Sequence, residues 1–156
     1  GEYLYEPSGA VVRAHLVQEL AQELGANLID PHLAYLTAAK AVQSPLAQCY
    51  EVLEEIPVHE KQLKKWVRER GFTALTIKKR GVDLVPEKLR ATLLAGGAGK
   101  KSGKKAAKNQ GYNPATLVFT RVGSGQQARR IGWHVRPVDF SDAAHVSSSD
   151  TKNSVV

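Results

Sequence analysis

The feature that most limits what this chain can fold into is a punctuated alternation of patterns that begins at Cys49. Cys49 to Ile56 reads as a strand closed by Pro57. Glu60 to Arg70 then reads as an amphipathic helix, with Leu63, Trp66 and Val67 inward, its Lys and Arg outward, and Gly71 as the stop. Phe72 to Arg80 is a second strand, ended by Gly81. Pro86 opens a further helix, where its missing N–H costs nothing; that helix carries Leu89 and Leu93 and ends at Gly96-Gly97. Ala115 to Val122 and Arg129 to Val135 pair as a hairpin across Gly123-Ser124-Gly125. The order strand, helix, strand, helix, strand, strand predicts an α+β fold, a small mixed or antiparallel sheet with helices packed on one side. The order of the strands within the sheet is not encoded in this pattern.

An N-terminal helical segment precedes that unit. Pro7-Ser8-Gly9 is a turn signal, and from Ala10 the apolar residues Val11, Ala14, Val17, Ala21 and Leu24 recur at helical spacing, with Gly25 as a natural stop. Asn27 to Ala38 is extended and interrupted at Pro31, with Leu33, Tyr35 and Thr37 sharing one side. The expected organisation is therefore an N-terminal helix and linking segment over 1–48 and an α+β domain over 49–140. A low-complexity Gly/Lys insert occupies 96–111, and a polar tail, expected to fray, occupies 141–156. The chain opens at Gly1-Glu2-Tyr3 and contains no methionine, so it is expected to be a segment of a longer protein.

With 156 residues, 42% of them apolar, the chain can build one modest core. It carries 22 Lys and Arg against 15 Asp and Glu, a net charge of +7 concentrated in 61–90 and in the purely basic stretch 100–108. Such a field attracts phosphate backbones or acidic surfaces and names no chemistry. Cys49 stands alone, which excludes an intrachain disulfide and a thiolate metal cluster and fits a reducing, cytoplasmic setting. No apolar run is long enough to cross a bilayer, and no membrane partner is expected.

The sharpest local candidate is Thr76-Ile77-Lys78-Lys79-Arg80-Gly81. On a strand, Thr76, Lys78 and Arg80 share a face, and two cations beside a hydroxyl can grip a phosphate; the bland alternative is a solvated face neutralised by Asp83 or Glu87. Lys79, on the other side, must reach out or pair. Lys61, Lys64, Lys65 and Arg68 form a basic stripe at helical spacing, which is also what an ordinary surface helix looks like. Lys100, Lys101, Lys104, Lys105 and Lys108 can neutralise a nucleic-acid backbone without reading sequence, or simply solubilise a linker. Arg13, close after Tyr3 and Glu6, can clamp Glu6 or a neighbouring domain through its planar fork. Gly123-Ser124-Gly125 has no following helix, and the five histidines share no ligand spacing with Asp, Glu or Cys. Trp133 and Tyr35 can stack bases, although core packing is the default for such residues. No catalytic, cofactor-binding or metal-binding constellation is expected in this chain.

Three stretches together carry a resemblance. They are Tyr3-Leu4-Tyr5-Glu6-Pro7-Ser8-Gly9-Ala10-Val11-Val12-Arg13-Ala14, then Asp30-Pro31-His32-Leu33-Ala34-Tyr35-Leu36-Thr37, then Leu75-Thr76-Ile77-Lys78-Lys79-Arg80-Gly81-Val82-Asp83 followed by Pro86-Glu87-Lys88-Leu89-Arg90. In this order they resemble the THUMP-like domain on the C-terminal side of certain bacterial class I S-adenosylmethionine-dependent methyltransferases. The resemblance covers roughly residues 2 to 135. It implies a catalytic module, with its glycine-rich S-adenosylmethionine loop, N-terminal to Gly1 and partnered by this chain. It also implies an accessory role here, with tRNA or rRNA as the expected substrate, because THUMP domains proper are associated with RNA. A structural docking or self-association domain is the alternative. By position, Arg13 and Lys78, Lys79, Arg80 and Gly81 match the shared motifs, whereas the insert between Leu94 and Tyr112 is longer and more basic than the family pattern.

Overall fold

A computed structural model describes residues 2–30, 33–96, 111–123 and 125–141. Lys100, Lys101, Lys104 and Lys105, with all of the insert between Gly96 and Gly111, lie outside the described residues, as do Pro31, His32, Ser124 and 142–156.

The strands are β1 (Glu2–Pro7), β2 (Asn27–Leu28), β3 (Leu36–Ala38), β4 (Ala47–Ile56), β5 (Ala74–Lys79), β6 (Pro114–Val122) and β7 (Arg129–Pro137). The helices are α1 (Gly9–Arg13), α2 (Val17–Leu24), α3 (Glu60–Arg70) and α4 (Pro86–Leu94). The fold is α+β: one seven-stranded mixed sheet in the order β2-β3-β1-β4-β7-β6-β5, with only β5 and β6 parallel. Both ends of α3 and the Pro86 start of α4 fall where the sequence pattern put them.

Two things were not in the pattern. The first is β1, whose residues end in the expected turn but also form an inner strand between β3 and β4. Leu4 and Tyr5, adjacent and therefore on opposite faces, are both fully buried, so β1 lacks the polar alternation that marks a half-exposed strand. Residues 2–38 thus contribute three strands to the same sheet as 47–137. The second is a break in the expected helix from Ala10 to Leu24. The chain turns at Ala14–Leu16, where His15 takes a left-handed φ of 58°, and then starts again as α2, which Gly25 caps in the left-handed conformation. Val11, Leu20, Ala21 and Leu24 stay buried on both sides of the break, so the apolar stripe runs straight through it and conceals it.

All four helices cover one face of the sheet. Val11, Leu20, Ala21 and Leu24 pack with Tyr5, Leu36, Ala38 and Cys49 at one end; Leu63, Val67 and Leu93 pack with Leu75, Ile77, Leu117 and Phe119 at the other. The opposite face carries Leu4, Tyr50, Val118 and Val135, with Tyr35 and Ile29 from the β2–β3 connection closing over them. This face is concave. Strand spacing of about 4.8 Å would set β1 and β5, four steps apart, about 19 Å from one another in a flat sheet. Yet Lys78 Nζ on β5 lies 3.0 Å from Glu6 Oε1 on β1. Two side chains cannot span the difference, so the sheet coils until its third and seventh strands face each other.

Candidate functional site

The alternation of β5 sends Thr76, Lys78 and Arg80 to the concave face, as the sequence predicts, while Leu75 and Ile77 enter the helix-covered core. What the cations meet there is a residue far away in sequence. Lys78 bonds Glu6 at 3.0 Å, Arg80 lies 4.0 Å from the other carboxylate oxygen, and an Arg80 Nη2 donates to the Pro7 carbonyl at 3.4 Å. The counter-ion is therefore Glu6 and neither Asp83 nor Glu87. Both cations also rest on aromatic faces, Lys78 over Tyr50 at 5.9 Å and Arg80 over Tyr35 at 5.4 Å, an arrangement that favours a charge placed against a ring. Burial works against the Lys78 charge, but the hydrogen bond and charge of Glu6, aided by Tyr50, outweigh it and hold the ammonium above the ordinary lysine range. Burial likewise pushes the Tyr35 and Tyr50 phenols upward, so both rings stay neutral. This clasp closes the mouth of the coiled sheet.

Beside the clasp lies an open cleft of about 430 Å³, lined by Glu6, Ser8, Gly9, Ser44, Gln48 and Arg80 among others. Arg13 does not reach Glu6 and makes no ion pair among the described residues. Its guanidinium lies instead against Gly9, where a Cβ would sit 2.9 Å from Nη1. Tyr3 packs half-buried against the α1–α2 core. Thus of the three residues expected at a docking surface, Glu6 lines the cleft, while Arg13 and Tyr3 do not.

A mostly apolar groove of about 360 Å³ runs between α1 and α2, lined by Ala10, Val11, Ala14, Leu16, Leu20 and Leu46 together with Glu19 and Glu23. Leu16 and Leu46 are 48% and 43% exposed, and Val42 is 39% exposed. Sequence reasoning missed this groove, although a signal was present: Leu16 falls off the inward stripe of Val11, Ala14 and Val17, which leaves a large apolar side chain pointing outward.

On α3, Lys61, Lys65 and Arg68 are exposed and Lys64 is half-buried. Lys65 pairs with Glu69 at 3.8 Å, whereas Lys61, Lys64 and Arg68 make no ion pair among the described residues. Arg70 is held by Glu54 at 2.6 Å, and the same carboxylate accepts from Trp66 Nε1 at 3.0 Å, which locks the last turn of α3 onto β4. Lys79 is exposed and donates to the Val82 carbonyl. Tyr35 is too deeply buried to stack a base, and Trp133 packs at the edge of the concave core. Among the described residues no group of three His, Cys, Asp or Glu is placed to hold a metal ion, and no helix is long and apolar enough to cross a membrane.

A coiled mixed sheet with helices on one face defines an α+β domain. The chain matches the family described as THUMP domain-like over residues 47–137 and belongs to that family. It is 30% identical over 137 residues to uncharacterized S-adenosylmethionine-dependent methyltransferases of Mycobacterium tuberculosis, from strains CDC 1551 and H37Rv. The match takes in 88% of this chain and 34% of those proteins, so the chain spans about a third of the curated relatives it matches. A crystal structure of a Porphyromonas gingivalis W83 protein, proposed to be a methyltransferase, shares the fold with a TM-score of 0.59 at 20% identity, over 88% of this chain and 30% of that one.

Proposed function

We propose that this chain is the non-catalytic accessory domain of an S-adenosylmethionine-dependent methyltransferase and that it docks on the catalytic module through the α1–α2 groove. The observation that carries this reading is the exposure of Leu16 and Leu46, two large apolar side chains that line one apolar groove. The occupant is argued from length: in the relatives, about two thirds of the protein lies outside the matched stretch, and the methyltransferase name belongs to that whole. S-adenosylmethionine is then the cofactor of the catalytic module, and no residue of this chain is assigned to it. The test is titration of this chain with the separately expressed catalytic module of its parent. Saturable binding that Leu16→Asp/Leu46→Asp abolishes supports docking, and binding indifferent to that pair refutes it.

RNA presentation is a second reading, favoured by Lys61, Lys64 and Arg68, exposed or half-exposed on α3 and without ion pairs among the described residues. Binding to bulk tRNA and rRNA fragments at physiological salt, compared between the natural chain and a Lys64→Ala/Arg68→Ala variant, tests it. Unselective binding that vanishes with salt and ignores the variant refutes it.

A further inference from the structure

We infer that the cleft between Ser8, Ser44, Gln48 and Arg80 is a site for a phosphate group, with Glu6 as the internal anion that the ligand displaces from Arg80. The argument begins with donors. Arg80 has five N–H groups, of which one bonds the Pro7 carbonyl at 3.4 Å, and Glu6 stands off at 4.0 Å. Lys78 holds Glu6 at 3.0 Å, so the carboxylate has a nearer partner and the guanidinium can exchange its own. Arg80 lies over the ring of Tyr35 at 5.4 Å, a contact that holds the guanidinium beside the cleft it lines.

The two hydroxyls are arranged the same way. Ser8 Oγ accepts from the Val11 amide at 3.4 Å and Ser44 Oγ accepts from the Leu46 amide at 3.1 Å, so each keeps its own hydrogen for a ligand. Gln48 spends its amide only on a long 3.5 Å contact to the Cys49 carbonyl. Gly9 also lines the cleft and presents no side chain there, so the backbone is open to a ligand. One guanidinium fork and two hydroxyl donors suit the tetrahedral array of acceptors on a phosphate. A volume of about 430 Å³ leaves room for more than the phosphate, and the ligand class is therefore a phosphate ester of nucleotide size. The site is separate from the apolar groove, so its failure leaves the docking reading untouched.

The test follows backbone amide resonances of the whole chain at constant ionic strength during titration with inorganic phosphate, a nucleoside monophosphate, and a short RNA with or without a 5′-phosphate. Inorganic phosphate is expected to shift Ser8, Gly9, Ser44 and Gln48, and Arg80→Gln to remove those shifts. Glu6→Gln deletes the competing charge and is expected to tighten phosphate about tenfold, a gain that misfolding cannot mimic. A preference for the monophosphate assigns a free nucleotide as the source. A preference for the 5′-phosphorylated RNA assigns a chain end. Absence of shifts at these four residues, or weaker binding by Glu6→Gln, overturns the site.

Discussion

At Gly132 the core leaves no room for a side chain. It lies on β7 directly opposite Phe119 on β6 and Ile56 on β4. A Cβ there would stand 2.8 and 2.9 Å from two carbons of the Phe119 ring and 3.1 Å from Ile56 Cγ1. Phe119 is 1% exposed and cannot swing away into solvent. Gly132→Ala therefore forces a buried ring off its position, an overpacking cost of about 1–3 kcal/mol. Stiffening the unfolded chain by Gly→Ala offsets about 0.4–1 kcal/mol of this. The net expectation is a loss of about 1–2 kcal/mol, or a melting point lowered by roughly 2–8 °C for a chain of this size. Urea unfolding of Gly132→Ala, Phe119→Leu and the double variant measures it. The smaller side chain makes room for the methyl group, so the double variant should lose about 1 kcal/mol less than the sum of the singles. Additive losses, or a Gly132→Ala protein as stable as the natural one, would show that the ring is not wedged against this glycine.

Tyr5 donates its hydroxyl hydrogen to the Lys40 carbonyl and accepts from the Val42 amide, and burial pushes its pKa up to about 12. Tyr5→Phe should cost about 1–2 kcal/mol in urea unfolding. The native state also keeps this proton longer than the unfolded chain, so stability should fall between pH 10 and 12, and less so in the variant. The Lys78 ammonium is raised above its usual range, so its share of stability is present below the ordinary lysine pKa and disappears as pH rises through the folded value. Lys78→Met should cost about 1–2 kcal/mol at neutral pH and flatten that alkaline loss, both visible in thermal melts across pH. Leu16→Asp and Leu46→Asp should each change stability by under about 0.5 kcal/mol, because neither side chain is in the core; thermal melts check this before any docking experiment.

Much of the second half of the fold was legible because its elements are half-exposed and bounded by Pro or Gly. The helix Glu60–Arg70 has a charged outer face and two clear ends, and the β6–β7 hairpin has a glycine-bracketed turn. The first half was harder for the opposite reason. β1 is buried on both faces, and the bend at His15 preserves the apolar stripe on either side of it. The candidate site was legible only from one side. That Lys78 and Arg80 share a face follows from the period of a strand. That their anion is Glu6, 72 residues from Lys78, depends on the coiling of the sheet, which no local pattern carries.

The insertion of β1 between β3 and β4 makes residues outside the matched family segment an inner part of the sheet. The family match begins at Ala47, the first residue of β4. Excised at that boundary, β4 would lose its partner along Ala47–Val52 and expose a raw ladder of unpaired amides and carbonyls, with Cys49 and Tyr50 stripped of cover. Such an edge is a template for identical copies of itself. Residues 2–7 act in this sense as a built-in cover strand, and any engineering that trims the domain to residues 47–137 removes that cover and leaves the β4 edge open to pairing.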